Sequence, residues 1–599
     1  MSERKEVLFT NLGEICEPAK NISKIREFYK WVSVPYETKD IKGNMLLSLQ
    51  KGRPEDVRLN PGLTGWYRIM VGHYSCNQYI SLKLTSDKGF AYVAPGNAGS
   101  YGSHSIEEVY WKAADMTGES VVIHKHVKSD PYNAAIAWMR FVPMDDAEVA
   151  AFQADQARKD TKRIYATHDM HGQLIIGSPQ SMDDWTVIVQ NYEQSDVEWF
   201  SMENCFIYEG DASTGNPDNM TYPRQCDETI QHVIRDSYTP EALAHLVQYG
   251  HDMGLKMCGS TRMGAWGIEC PYDQMYFVNK FMENNKEKCR CVDRDGSPID
   301  ALSYIYPEVR SYMIGQFIKM AKQGFDAVEM IFSRGVPYVL FEQPFVDRFM
   351  EKYGEDPRYL ALDEPRVTDL RCEVLTEFVK ELREALDEAI PERKVGIHAR
   401  CNFSLYDSRH IAVDVEEWAK QGLITAIISY PQRIREVLEG DLWQDEAHTK
   451  LDLDKYYEYV RGERSSIRHS GDVDFVEPWP DSRGVLKGPK DQKERVQEFM
   501  EIEKKYGVTV YLEIMPRFMS TAEYRRRAME LYELGAEHLS FWDTYNRVPN
   551  RVQWSMISRL GHKEELKDFT DGNGELYSYR RIMKIGGKDV SRYLPAWGG

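Results

Sequence analysis

The sequence predicts an α/β fold: a (β/α)8 TIM barrel with an N-terminal all-β sandwich domain and a short C-terminal β-appendage. Three observations predict it. Short β-branched and aromatic runs separated by turn residues fill the first 145 or so positions. Strand-length apolar runs then alternate with helical patterns eight times. Glycine stands just before several of these runs, at Gly254, Gly324, Gly422, Gly507 and Gly535, where a helix C-cap would place it.

In chain order, the first strands are expected at Met45–Leu49, Gly65–His73, Tyr79–Thr85, Phe90–Val93, Glu107–Lys112, Ser120–His126 and Ala134–Val142. Turn chemistry divides them, as in Asn60-Pro61-Gly62 and Ser86-Asp87-Lys88-Gly89. Many short strands at this spacing argue for a sandwich. Residues 146–161 are polar and rich in helix formers, which suits a connector.

The eight barrel strands are expected at Arg163–Asp169, Val197–Phe206, Leu255–Thr261, Asp326–Phe332, Lys394–Arg400, Leu423–Tyr430, Val508–Met515 and His538–Tyr545. Helices fill the gaps: Asp183–Glu193, Pro240–Met253, Pro307–Gln323, Val367–Ala389, Val415–Gln421, Gln492–Tyr506 and Ala522–Gly535, with Val552–Leu560 after the last strand. An open doubly wound sheet is the competing arrangement, but no Gly-rich phosphate fingerprint follows any strand. Long insertions at 211–239, 264–306 and 431–490 fall on the face where barrel active sites are built. Domain boundaries follow at 1–145, 146–161, 162–562 and 563–599, the last segment reading as a small β-appendage that packs back on the first domain.

Composition narrows the partners. A net charge of -19 over 599 residues argues against nucleic acid and anionic membranes and suits a neutral or cationic small substrate. The 36 Tyr and 13 Trp supply flat faces with polar tips, which fit sugar rings, cores and oligomer interfaces alike. The ten cysteines show no zinc-ribbon spacing and read as mostly free thiols. The absence of a signal-like or membrane-spanning run makes a cytoplasmic location the expectation.

In a barrel the strand C-termini converge on one mouth. Candidates there are His168 and Asp169 on strand one, Glu203 on strand two, Arg262 on strand three, and Glu329 with Arg334 on strand four. Strand five offers His398 and Arg400, strand six Tyr430, strand seven Glu513, and strand eight Trp542 with Asp543. Glu329 and Glu513 lie in apolar strand sequence, where burial raises a carboxyl pKa and makes a usable proton donor. Cleavage of a glycosidic bond needs two such carboxyls, one protonating the leaving oxygen and one acting as nucleophile or base. Either glutamate could equally be an anchor paired with Arg262, Arg334 or Arg400. Trp266, Tyr272, Tyr338, Tyr430, Trp479 and Trp542 are candidate sugar platforms, and Arg334 and Arg400 candidate clamps for an acidic sugar.

The run Gly324-Phe325-Asp326-Ala327-Val328-Glu329, with a β-sandwich ahead of it, resembles the barrel glycoside hydrolases and their glycosyl-hydrolase-like relatives. The placement of Glu329 and Glu513 is similar to the retaining clan with its acid on strand four and nucleophile on strand seven. Two positions depart from the pattern: Val328 where that clan has Asn, and Ile331 where the hydrolase-like relatives often carry Asp. The resemblance implies a glycoside hydrolase with Glu329 as general acid/base and Glu513 as nucleophile or base, a retaining outcome, a carbohydrate substrate and no cofactor. His168, Asp169, His171, Glu203 and His398 keep a metal-dependent hydrolase or isomerase as the rival, although His168 and His171 cannot both face inward from one strand. A non-catalytic carbohydrate-binding barrel is the third reading, and assembly into a homo-oligomer fits any of them.

Overall fold

The computed structural model describes residues 4–49, 52–74, 80–94, 105–125, 134–169, 182–203, 220–221, 240–264, 278–332, 337–361, 364–430, 492–514, 521–542, 554, 557–566 and 577–590. Eight parallel strands close into a barrel in chain order: Ile164–Asp169, Val197–Glu203, Lys256–Arg262, Ala327–Ile331, Gly396–Asn402, Ala426–Tyr430, Thr509–Glu513 and His538–Phe541. Strand eight pairs back onto strand one, with Tyr165 opposite Ser540, so no sheet edge remains. Each expected strand is present, the fifth displaced by two residues toward the C-terminus and the eighth ending earlier.

The helices that cover the barrel follow from sequence in the same way. Pro307–Lys322 starts with proline at its first turn, buries Val309, Met313, Phe317 and Met320 at three- and four-residue spacing, and runs out at Gly324. Gly324 has φ 99° and Gly507 φ 71°, the left-handed backbone that lets the chain turn from helix into strand without a Cβ clash. Between strands four and five an additional helix, Gln343–Tyr353, precedes the long Pro365–Ala389. The expected helix at 552–560 and the insertions at 211–239 and 431–490 lie largely outside the described residues.

The N-terminal domain has two facing antiparallel sheets. The larger is ordered Tyr577–Arg581, Ser105–Asp115, Trp66–Tyr74, Ala134–Pro143, Lys42–Ser48, Trp31–Glu37, Lys584–Ile585 and Lys588–Asp589. The smaller is ordered Val57–Leu59, Val121–His124, Ile80–Leu84 and Ala91–Val93. Residues of both, among them Trp31, Leu46, Ile69, Val71, Leu82, Val121 and Phe141, form the core between them. Trp31–Glu37 lies outside the expected strands; its Pro35 removes a ladder donor, which argues against a strand interior.

The C-terminal appendage is part of this sheet. Tyr577–Arg581 pairs with Ser105–Asp115, and Lys584–Ile585, six positions from Tyr577–Arg581 along the sheet order, pairs with Trp31–Glu37. Only Ile582 and Met583 separate the two pieces, a reach of about 11 Å at 3.8 Å per residue. The large sheet therefore curls until its two sides nearly meet, and the tail joins them. Ile582 is buried in a second core inside the curl, with Tyr36, Met45, Ile106 and Trp138.

The small sheet lays Phe90, Tyr92 and Val122 on the barrel's helical layer. Lys112 crosses the same boundary, its ammonium 2.9 Å from Asp87 and 2.7 Å from Glu193. The connector helix Asp146–Gln156 starts with a capping box of Asp145 and Glu148. At its other end Asp155 Oδ1 is 2.7 Å from His562 Nε2, while His562 Nδ1 is 2.7 Å from Asp196 Oδ2.

Burial works against charge on His562, but the bonds from Asp196 and Asp155 prevail and raise its pKa above the ordinary 6.5. A raised folded pKa gives stabilisation that is complete below the unfolded value and lost as pH rises through the folded one. The expected result is a melting temperature that falls as pH rises above about 6.5, with His562→Gln flattening that part of the profile. An unchanged slope in His562→Gln would remove His562 as the cause.

Candidate functional site

Strand alternation decides which candidates share the barrel interior. On strand one Tyr165 packs inside with Cys258, Ala327, Ile428 and Tyr511, while Ile164 and Ala166 belong to the outer core. His168 therefore falls on the outward parity, its ring 5.8 Å from that of Phe200 in the helical layer. The expectation of His168 at the mouth is corrected: being odd-numbered steps from Tyr165, it turns toward the helices.

The centre of the interior is Arg400, wholly buried. Its Nε donates to Glu329 Oε1 at 2.6 Å and its Nη2 to Thr167 Oγ1 at 2.6 Å, while Nη1 lies 3.7 Å from Glu513 Oε2. The indole of Trp542 covers the guanidinium, with 4.7 Å from the guanidinium carbon to the ring centre. Burial disfavours the charge on Arg400, but the Glu329 and Glu513 carboxylates more than compensate and its pKa is raised.

Glu329 also accepts from Ser201 Oγ at 2.6 Å and from Tyr165 Oη at 3.0 Å, so three donors converge on its two oxygens. It stands mid-strand with Ile331 above it on the same parity, and neither has any exposure. Glu513, in contrast, is the last residue of strand seven. Its Oε1 accepts from the Trp542 backbone N–H at 2.6 Å and its Oε2 from Ser540 Oγ at 2.8 Å, and its own N–H donates to Ser429 Oγ at 2.8 Å. The two carboxylates from strands four and seven thus meet one guanidinium at different depths, Glu329 below and Glu513 at the strand end.

His398 lies deeper still. Its Nδ1 is 3.1 Å from Tyr165 Oη and 3.8 Å from Cys258 Sγ, and its ring stands edge-on to Trp199 at 4.6 Å. Burial, with Lys256 and Arg400 adding to it, pushes its pKa down to about 3, so the ring is neutral. Since Tyr165 donates to Glu329, the neutral imidazole takes the tautomer that donates from Nδ1 to Tyr165. His398 is corrected from a substrate ligand to a support for the Tyr165–Glu329 bond.

Near the rim Glu203 on strand two receives Arg262 from strand three, through Nε at 2.5 Å and through Nη2. Glu203 is buried, whereas the Arg262 side chain keeps 22% exposure. Tyr430 and Trp542 meet edge-to-face at 5.0 Å beside Ile331. Trp542 is 1% exposed and Tyr338, whose hydroxyl donates to Phe332 O at 2.5 Å, is also 1% exposed. Neither offers a free face, which corrects their reading as sugar platforms. Tyr430 keeps 8% exposure. Asp169 closes strand one, but its side chain lies outside the described residues, as do Arg334, Asp543, Trp266, Tyr272, Trp479 and His171.

The solved structures this chain is similar to include glycoside hydrolases. The glycoside hydrolase domain of PgaB from Bordetella bronchiseptica is 10% identical, with 67% of this chain and 99% of that chain covered and a TM-score of 0.38. The catalytic domain of a β-amylase from Paenibacillus polymyxa gives the same four values. An α-galactosidase from Thermus thermophilus in complex with stachyose is 10% identical over 88% of this chain and 99% of that chain, with a TM-score of 0.33. No family model matches the sequence, and no curated protein matches it. At these values the likeness is one of shape; the barrel itself rests on its own strand pairing.

Several residues that build the site carry no sequence motif. Tyr165, Thr167, Ser201, Ser429 and Ser540 are the hydroxyls that hold Glu329, Arg400 and Glu513. One signal could have found Thr167 and Ser201: each is a hydroxyl side chain two residues before a carboxylate candidate, Asp169 and Glu203. Among the described residues, the three-group cluster with metal-like spacing is Asp155, His562 and Glu565, near the connector helix. Arg559 already bonds both Asp155 and Glu565 there.

Proposed function

We propose that this chain is a glycoside hydrolase that cleaves an O-glycosidic bond at the barrel mouth, with Glu513 as the carboxylate that meets the sugar. The observation that carries this reading is the convergence of Glu513 and Glu329, from strands seven and four, on Arg400. Glu513 is buried too, its side chain 2% exposed, but it ends its strand and is oriented by a backbone N–H and a hydroxyl, which fits a nucleophile or base aimed at an anomeric carbon.

Glu329 takes a different part from the one the family resemblance implies. A general acid needs an oxygen carrying a proton and directed at the leaving group. Glu329 is an acceptor in three bonds, one of them from a guanidinium, and has no exposure. It acts as a positioning residue that fixes Arg400, and Arg400 in turn faces Glu513. The proton for the leaving oxygen is then assigned to another carboxyl, for which Asp169, the last residue of strand one, is the proposal. Retention of configuration is proposed on the strand-seven placement of Glu513.

A second reading, sugar binding without turnover, is favoured by one feature: Ile331 and Trp542 sit as an apolar cluster where a second reacting carboxylate would stand. The test is incubation of the purified chain with α- and β-linked nitrophenyl glycosides and with oligosaccharides, following release and binding in parallel. Hydrolysis of at least one substrate is expected. Binding with no release from any of them would establish the second reading instead.

A further inference from the structure

Among the described residues eight large hydrophobic side chains stand open to solvent, and three of them share one short loop: Ile25 at 70%, Phe28 at 58% and Tyr29 at 77% exposure. Such side chains scattered singly need no explanation, but three together mark a contact surface. The loop is held in shape. It leaves the short strand Ile22–Ser23 and returns into Trp31 and Val32, which pair with that strand in parallel, so both ends are fixed. Between them Ser23 Oγ donates to Glu27 Oε1 at 2.7 Å and accepts from the Ile25 N–H at 3.2 Å, while the Arg53 N–H donates to Phe28 O at 2.7 Å. Trp31 closes the neck, wholly buried with its indole N–H on Glu55 O at 3.0 Å.

Charge says what this surface faces. From Lys20 to Lys30 the chain carries Lys20, Lys24, Arg26 and Lys30 against Glu27 alone, four cations to one carboxylate. Glu27 is met by Ser23 and, at 3.3 Å, by Lys30, whereas Lys20, Lys24 and Arg26 are exposed. The net charge of -19 argues against attraction of the whole molecule to an anionic surface. At physiological ionic strength, however, charges further off than about 8 Å are largely screened, so the loop's own cations govern a contact made there. Apolar and aromatic tips interleaved with Lys and Arg suit the headgroup boundary of a bilayer. Sugar rings stack on flat faces, which Ile25 lacks. A stable protein interface takes ~800 Å² from each partner, for which one short loop is small.

We propose that residues 24–30 are a docking loop for a bilayer surface rich in anionic headgroups. Ile25, Phe28 and Tyr29 enter the headgroup boundary, and Lys20, Lys24 and Arg26 meet the lipid phosphates and carboxylates. The contact is peripheral and belongs to the sandwich domain, so it stands whether or not the barrel cleaves sugars.

The test is flotation of the full chain with vesicles of phosphatidylcholine alone and of phosphatidylcholine mixed two to one with phosphatidylserine, beside retention on dextran sulfate. At least about fivefold more protein is expected to float with the mixed vesicles, and the excess is expected to shrink as salt is raised. Phe28→Ser combined with Tyr29→Ser is expected to lose most of that binding. Lys24→Gln combined with Arg26→Gln is expected to lose the preference for the mixed vesicles. All four positions are exposed, and an unchanged melting temperature checks that each variant folds. No flotation of the wild type with either vesicle, or equal flotation of the wild type and the folded Phe28→Ser, Tyr29→Ser variant, would overturn the proposal. So would retention on dextran sulfate without flotation, which gives the loop to an anionic polysaccharide. A dimer in analytical ultracentrifugation that the same variant loses would give it to a second copy of the chain and overturn it too.

Discussion

Replacing Arg400 with Met is expected to destabilise the barrel by about 3–5 kcal/mol, because it leaves the wholly buried Glu329 without its cation. The loss comes mainly from the stranded carboxylate and less from the missing attraction, so it has a diagnostic partner. Glu329→Met combined with Arg400→Met removes both charges, and the double variant is expected to regain a large part of what the single variant loses. Urea unfolding of the wild type, both single variants and the double variant reads this directly. Equal stability of Arg400→Met and wild type would show that Arg400 does not anchor Glu329. Arg400→Lys is expected to fall between, since one ammonium cannot meet Glu329, Thr167 and Glu513 together.

Ending the chain before Tyr577 is expected to make the protein self-associate. The deletion strips a partner strand from Ser105–Asp115 and another from Trp31–Glu37, exposing unpaired backbone on both sides of the curled sheet. It also removes Ile582, whose burial alone is worth roughly 1.5–3 kcal/mol, and the Arg580–Asp40 ion pair at 3.1 Å. Light scattering during heating and at increasing concentration is the measurement. A truncated chain that stays monodisperse and melts at the wild-type temperature would mean that the tail merely decorates the sheet.

The architecture was legible in the sequence because a barrel repeats one unit. Eight apolar runs, all but the first preceded by an amphipathic helix and often by a glycine, place their strands nearly in register with those observed. The sandwich was legible for its turn-bounded strands and illegible at Trp31–Glu37, where Pro35 masks a strand that pairs with Lys42–Ser48 on one side and with the distant tail on the other. The convergence of strands four and seven on one arginine was within reach, since Glu329, Arg400 and Glu513 all fall on the inward parity. Their depths were not. Parity places a residue inside or outside, whereas depth depends on how the tilted strands are staggered, and this is why Glu329 and His398 lie below the mouth. Ile331 was the informative departure: an apolar residue takes the last inward position of strand four and closes over Glu329.

The division of labour between the two glutamates is tested most directly by measuring kcat and melting temperature together for Glu513→Gln and Glu329→Gln. Glu513→Gln is expected to keep the wild-type melting temperature within about 2 °C. Its kcat is expected to fall by roughly a thousandfold or more. Glu329→Gln is expected to melt markedly lower, with its activity loss following its misplaced Arg400. A stable, inactive Glu329→Gln beside a Glu513→Gln that retains wild-type kcat would contradict the assignment and return the chemistry to strand four.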